Sequence, residues 1–207
     1  MQQLLKSKIG TERTLGARLL GNSKDEKAVN LLIQALKVEK KLYPKIEICK
    51  SLEKMGAPAI KALIKLLGEI GNNQHESIPE KTFSKNNYPL PRDIAARTLI
   101  RFEENIIPEL LPILSTKKES QLSEAIDTIG FICFYKPQPE VFEPLKNCML
   151  ANLNSEIICW KSVRAMSGFP ESEAFLTEQK QEFTNPALLK EIDRSLELIK
   201  NNLNNKE

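Results

Sequence analysis

The stretch "GAPAIKALIKLLGEIGNN", Gly56 to Asn73, limits what this chain can fold into more than any other. Lys61, Lys65 and Glu69 stand four residues apart, and nearly everything between them is apolar: Ala59, Ile60, Ala62, Leu63, Ile64, Leu66, Leu67 and Ile70. A surface helix of a globular domain buries one face. A helix that leaves only a single polar stripe in water must be covered on its other flanks. A stack of helix pairs does this, because each helix touches its partner and the helices of the repeats on either side. Asn30 and Gln34 form the same stripe in the preceding repeat.

The chain repeats itself. "AVNLLIQAL" (Ala28 to Leu36) and "AIKALIKLL" (Ala59 to Leu67) superpose in polarity at a shift of about 31 residues, within the 20–50 residue periods of helical arrays. "IIPELLPIL" from Ile106 and "VFEPLKNCM" from Val141 are looser copies. A second pattern alternates with the first, at Glu12, Glu47, Pro91 and Gln121. In it, small residues (Gly16, Ala17, Ser51, Ala95, Ala96, Ala125) precede a large aliphatic (Leu20, Met55, Leu99, Ile129). Small residues admit a neighbouring helix closely, and Gly21, Gly56 and Gly130 are placed to close these helices.

"GARLLGNSKDEKAVNLLIQALK" and "LEKMGAPAIKALIKLL" resemble the repeat unit of the HEAT-repeat superfamily, and most closely its short phycobilisome-lyase-type repeats. "ELLPIL" followed by "SEAIDTIG" resembles the longer HEAT unit. The family's inner helix usually opens with Val-Arg. Arg13 and Arg92 fill the Arg position here, while Ile48 and Leu122 replace it elsewhere. The resemblance runs from about Thr11 to Lys200. It implies an all-α, armadillo-like α-α superhelix of five to six helix pairs, whose inner helices line a concave groove.

The expected organisation is one domain over residues 1–207, with a partial cap at Gln2–Thr11 and a frayed tail at 202–207. Helices are expected at Glu12–Leu20, Asp25–Val38, Tyr43–Met55, Pro58–Ile70, Pro91–Glu103 and Ile106–Ser115. Further helices follow at Glu119–Phe134, Pro139–Leu153, Ser155–Ser167, Ser172–Phe183 and Pro186–Asn202. Pro58, Pro91 and Pro186 suit first-turn positions, while Pro112 and Pro144 fall inside helices and should kink them.

One link breaks the pattern. "GNNQHESIPEKTFSKNNYPL", residues 71–90, stands where other repeats use a few residues. A link of this length is either a tolerated surface insertion or a binding loop. It holds the only histidine, His75, with Phe83 and Tyr88 as the aromatic candidates for contact with a partner. The flanking helices can close without it, so shortening it is expected to leave the thermal midpoint within a few degrees while weakening the binding of a partner. Lys40 with Lys41, and Lys117 with Lys118, occupy the corresponding links. With Lys45, Lys81 and Lys85 they form either ordinary solvated turns or a basic ridge for an acidic partner. Arg92, Arg97 and Arg101 on one inner helix could grip carboxylates or phosphates, or pair within the stack with Asp93, Glu103 or Glu104. Trp160 reads as core packing or as a recognition platform.

The net charge of +3, from 30 basic and 27 acidic residues, is too balanced to point to nucleic acid by itself. "MQQLLKSKIG" has no apolar run of signal or membrane length, so a cytoplasmic protein is expected. Cys49, Cys133, Cys148 and Cys159 lie in apolar helical patterns without C-x-x-C spacing, so reduced, buried thiols without metal are expected. No phosphate-binding glycine loop, nucleophile elbow or spaced acid pair is present. The expected role is a non-catalytic, cofactor-free scaffold that holds a protein or peptide through its concave face and one loop edge. The alternative is a nucleic-acid binder of the DNA-alkylation-repair type, using the groove arginines.

Overall fold

The computed structural model describes residues 1–23, 25–81 and 83–204, and among them there is no strand. The helices are α1 (Gln2–Leu5), α2 (Gly10–Leu20), α3 (Glu26–Val38), α4 (Leu42–Met55), α5 (Ala57–Ile64) and α6 (Ile94–Leu99). They continue with α7 (Ile107–Leu110), α8 (Glu119–Tyr135), α9 (Phe142–Leu150), α10 (Glu156–Met166), α11 (Ser172–Gln179) and α12 (Pro186–Asn204). Even-numbered helices pack in succession, α2 on α4, α4 on α6, α6 on α8, α8 on α10 and α10 on α12. They carry the small-residue pattern and form the inner layer. Helices α3, α5, α7 and α9, with α11 against α12, form the other layer. This is the expected all-α helical-repeat solenoid, and one apolar core runs through it from Leu5 to Ile199.

Side-chain spacing explains the layering. In α5 and the turn after it, Leu63 and Leu67 are fully buried while Lys61, Lys65 and Glu69 are exposed. The stripe read from the sequence is therefore a stripe in the fold. Asp25, Asp93, Ser155 and Asn185 cap the helices that follow them, each accepting a first-turn backbone N–H.

Several boundaries move, each for a local reason. The helix expected to reach Ile70 stops at Ile64, and Gly68 then turns the chain with φ +73°. Pro91 lies outside the helix it was expected to start, because Asp93 caps α6 two residues later. That helix ends at Leu99 rather than Glu103. The chain goes on as a 3-10 turn over Ile100–Ile106, where Glu103 adopts φ 56°. Pro112 does break its helix, since α7 passes into a 3-10 turn at Leu111–Ser115. Pro144 does not, because α9 begins only at Phe142 and the proline falls in the first turn. Gly56 ends α4 with φ +74°, as expected. Gly130 caps nothing. It lies inside α8, where an added Cβ would collide with the Tyr88 hydroxyl and stand 2.7 Å from the Ala165 Cβ. α12 continues to Asn204, and the rest of the tail expected to fray, 205–207, lies outside the described residues.

Candidate functional site

The described residues of the insertion, 71–81 and 83–90, do not hang from the solenoid as a free loop. Their ends are held together where Arg92 donates to the Asn73 side chain (3.0 Å) and Gln74 Nε2 donates to Asp93 (2.6 Å). From there the segment crosses the outward face of α8, α10 and α12. Tyr88 is 2% exposed, edge-on to Phe131, tilted against Phe134, and its hydroxyl stands 3.5 Å from Asp127. His75 packs edge-on against Trp160, with ring centroids 5.2 Å apart. Arg194 of α12 donates to the carbonyls of Lys85 (3.0 Å) and Asn87 (2.7 Å), and its guanidinium lies over Phe83.

This roof changes what the inner helices can expose. In α2 and α4 one face is wet, but every residue from Leu122 to Gly130 and from Ile157 to Phe169 is buried. Charges at stripe positions are therefore enclosed and must pair. Lys161, with no exposed side-chain surface, donates to Glu124 at 2.7 Å and lies 2.9 Å from Asp127. Arg164 stacks on Trp160, 3.7 Å from the ring centroid, and its Nε is 3.5 Å from Glu191. Glu191 is held more closely by Arg194, at 2.7 Å.

Titration follows from this enclosure. Burial pushes the Glu124 carboxyl up to about 7; Lys161 opposes the rise and Asp127 adds to it. Asp127 is also buried, yet the Lys161 and Arg164 charges hold it below the usual carboxylate range. Burial, then the Lys161 charge, pushes His75 down to about 4. Glu124 in the fold keeps its proton where the unfolded chain has released it, so its contribution to stability is lost as pH rises through about 7. His75 has the opposite sign: its contribution is complete above the ordinary histidine value and lost as pH falls towards 4. Over roughly pH 4.5–6.5 the two slopes cancel. Relative to the parent protein, Glu124→Gln should gain stability as pH rises from 5 to 7, and His75→Gln should gain as pH falls from 6.5. Urea melts at four pH values measure both, and two flat difference curves would refute the assignment.

The residues singled out from the sequence therefore fall into three groups. His75, Phe83 and Tyr88 come together with α8, α10 and α12, and Arg92 stands at the edge of that cluster. Arg97 and Arg101 lie elsewhere, on the uncovered half of the inner layer. The arginines pair within the chain, but not with Asp93, Glu103 or Glu104: Arg97 donates to the Pro91 carbonyl and Arg101 to Glu53 at 3.0 Å. Glu103 and Glu104 pair instead with Lys136. Lys117 and Lys118 are exposed just before α8, beside the start of the insertion, and Lys118 reaches Glu69 of the neighbouring repeat. Trp160 is core, 1% exposed and stacked under the guanidinium of Arg164. The sequence reading missed Glu124, Asp127, Lys161, Arg164, Glu191 and Arg194. A signal was present: Trp160 and Phe131 occupy the faces that water should wet, and large aromatics there call for a cover.

The four cysteines are unbonded, three buried and Cys49 half-buried. Burial pushes Cys133 up to about 12 and Cys148 and Cys159 up to about 11. Such thiols are poor nucleophiles. Among the described residues no cluster could hold a metal ion, and no helix is long and apolar enough to cross a membrane.

No protein-family model matches the chain, and no curated protein matches it. Among solved structures, an engineered protein from the Northeast Structural Genomics Consortium aligns with 97% of this chain and 95% of its own, at 18% identity and TM-score 0.40. A second engineered protein from the same consortium aligns with 96% of this chain and 56% of its own, at 14% identity and TM-score 0.42. A designed armadillo repeat protein aligns with 96% of this chain and 98% of its own, at 15% identity and TM-score 0.37. Likenesses of that size carry no weight, and the helical-repeat architecture rests on the packing of the chain's own helices.

Proposed function

We propose that the chain is a non-catalytic, HEAT-like adaptor that holds a protein or peptide on the open, N-terminal half of its inner layer, in the cytoplasm. The observation that supports this is the contrast between the two halves of that layer. The C-terminal half is roofed by its own insertion. The N-terminal half is bare and apolar: Leu15 is 48% and Leu19 37% exposed on α2, with Leu42 at 65%, Tyr43 at 79% and Ile46 at 40% on α4. These residues recur at helical spacing on adjoining helices, joined by the Arg18–Glu47 pair at 2.9 Å. A contiguous apolar patch with a polar rim is what a docking surface requires. Lys50, Lys54, Arg97 and Arg101 on the neighbouring turns favour a partner segment whose apolar anchors are flanked by acidic residues. The phycobilisome-lyase-type likeness belongs to the repeat unit and adds no chromophore chemistry. A nucleic-acid role has less support, because the net charge is only +3 and the exposed face of α2 and α4 carries Leu15, Leu19, Leu42, Tyr43 and Ile46 rather than a basic stripe.

Selection of displayed peptides against the full chain tests the reading. The selected peptides should combine apolar and acidic residues. They should lose at least about tenfold in affinity for Leu15→Asp/Tyr43→Asp, as expected when central aromatic and aliphatic anchors go. Arg97→Glu/Arg101→Glu should weaken them less, and no duplex DNA should be retained at moderate salt. Peptides that bind the Leu15→Asp/Tyr43→Asp variant as well as the parent, or firm DNA retention, would overturn the proposal.

A further inference from the structure

A cavity of about 360 Å³ lies between the roof and the inner layer. Its walls are Pro79, Phe83, Pro89 and Leu90 from the insertion, its floor is Asp127 and Arg164, and Lys81 and Arg92 stand with His75 around them. The size falls within the range of small-molecule sites. Three cationic side chains face one carboxylate there, and Asp127 is already engaged by Lys161.

Arg164 is the unusual member. Its residue surface is 3% exposed, it is fixed by stacking on Trp160, and it lines the cavity. Its Nε has no hydrogen-bond partner among the described residues. That Nε faces Glu191 in a long ion pair, 3.5 Å from Oε1, while Arg194 holds the same oxygen at 2.7 Å. A buried guanidinium normally has its donors satisfied. One that is held flat on an indole, loosely paired on one side and lining a cavity on another, is preorganised for a planar acceptor brought from outside.

We infer that this cavity binds a small organic carboxylate, its anionic end on Arg164 with Arg92 at the rim and its apolar body against Phe83, Pro79, Pro89 and Leu90. The apolar walls favour a carbon-rich body over a bare ion. The Asp127 carboxylate on the floor disfavours a second negative charge, so a monoanion fits better than phosphate. This site is separate from the peptide-docking surface, and either can fail without the other.

Trp160, the only tryptophan, lies directly under Arg164 and reports on the site. The full chain is titrated with phenylacetate while Trp160 fluorescence is followed, with the neutral phenylacetamide and inorganic phosphate as controls. The expected result is a saturable change with phenylacetate, in the millimolar range or tighter, and none with the amide. Arg92→Ala and Lys81→Ala, both exposed at the rim, should weaken it roughly three- to tenfold. Arg164→Lys should weaken it more than tenfold if the variant folds by circular dichroism. If it does not fold, the two rim variants carry the test. Absence of saturation, an equal response to the amide, tighter binding of phosphate, or rim variants that bind as well as the parent would overturn the inference.

Discussion

Exchanging Lys161 for methionine should destabilise the protein by about 3–5 kcal/mol, the cost of leaving a buried charge partner uncompensated. Lys161 lies within 2.7–2.9 Å of both Glu124 and Asp127, and all three are buried, none more than 3% exposed. Methionine matches the stem but takes the donor from Glu124, whose carboxyl burial already pushes up to about 7, and leaves Asp127 only the charge of Arg164. Asp127 must then take up a proton or open the roof to water. The triple variant Lys161→Met/Glu124→Gln/Asp127→Asn removes the charges together, and it should recover most of the loss. Urea unfolding followed by circular dichroism measures both. If the single variant lost no more than about 1 kcal/mol, water would be reaching the cluster and the enclosure described for α8 and α10 would be wrong.

Replacing residues 75–89 by a four-residue Gly/Asn turn should lower the thermal midpoint by roughly 6–20 °C. The joint is short, because Asn73 and Arg92 already meet, so the new turn introduces no strain. What is lost is Tyr88. It sits over Gly130 between Phe131 and Phe134, and removing a buried aromatic costs about 3–5 kcal/mol. In a chain of this size each kcal/mol moves the midpoint by about 2–4 °C. Rehydration of Lys161 and its partners offsets some of the loss. Tyr88→Phe keeps the ring and gives up only a 3.5 Å contact to Asp127, so it should cost less than about 1 kcal/mol. A trimmed protein that melts within a few degrees of the parent would restore the expectation drawn from the sequence.

The packing of Tyr88 and the tie from Arg194 argue against that expectation, for a reason of distance along the chain. Helix pairing was legible because it is local: Lys61, Lys65 and Glu69 against Leu63 and Leu67 declare a wet stripe and a buried flank within one helix. Glu124 with Asp127 and Lys161 with Arg164 stand three apart, also a one-face spacing on a helix, and are charged in the same way, yet they are dry. Their burial depends on a segment 34 or more residues away in sequence, and no periodicity within α8 or α10 encodes that event. Tyr88 is the converse case. It looked like one aromatic in a polar link, and only the missing side chain at Gly130, 42 positions on, explains where its ring goes. The groove arginines were legible as paired, but their partners depended on register between α4 and α6. That register placed Arg101 beside Glu53.

In most helical arrays each unit feels only its neighbours, so segments can form and melt one after another. The tie from Arg194 to Lys85 and Asn87 spans more than a hundred positions of chain. It makes the last three inner helices answer to a single strap that is synthesised before any of them. Such a strap converts a row of independent units into one cooperative block. The stretch from α8 onward should then lose its amide protection together, while α2 to α4 keep the piecemeal opening of an ordinary array. The cost falls on speed, since a closure of that span must be completed before the block is stable.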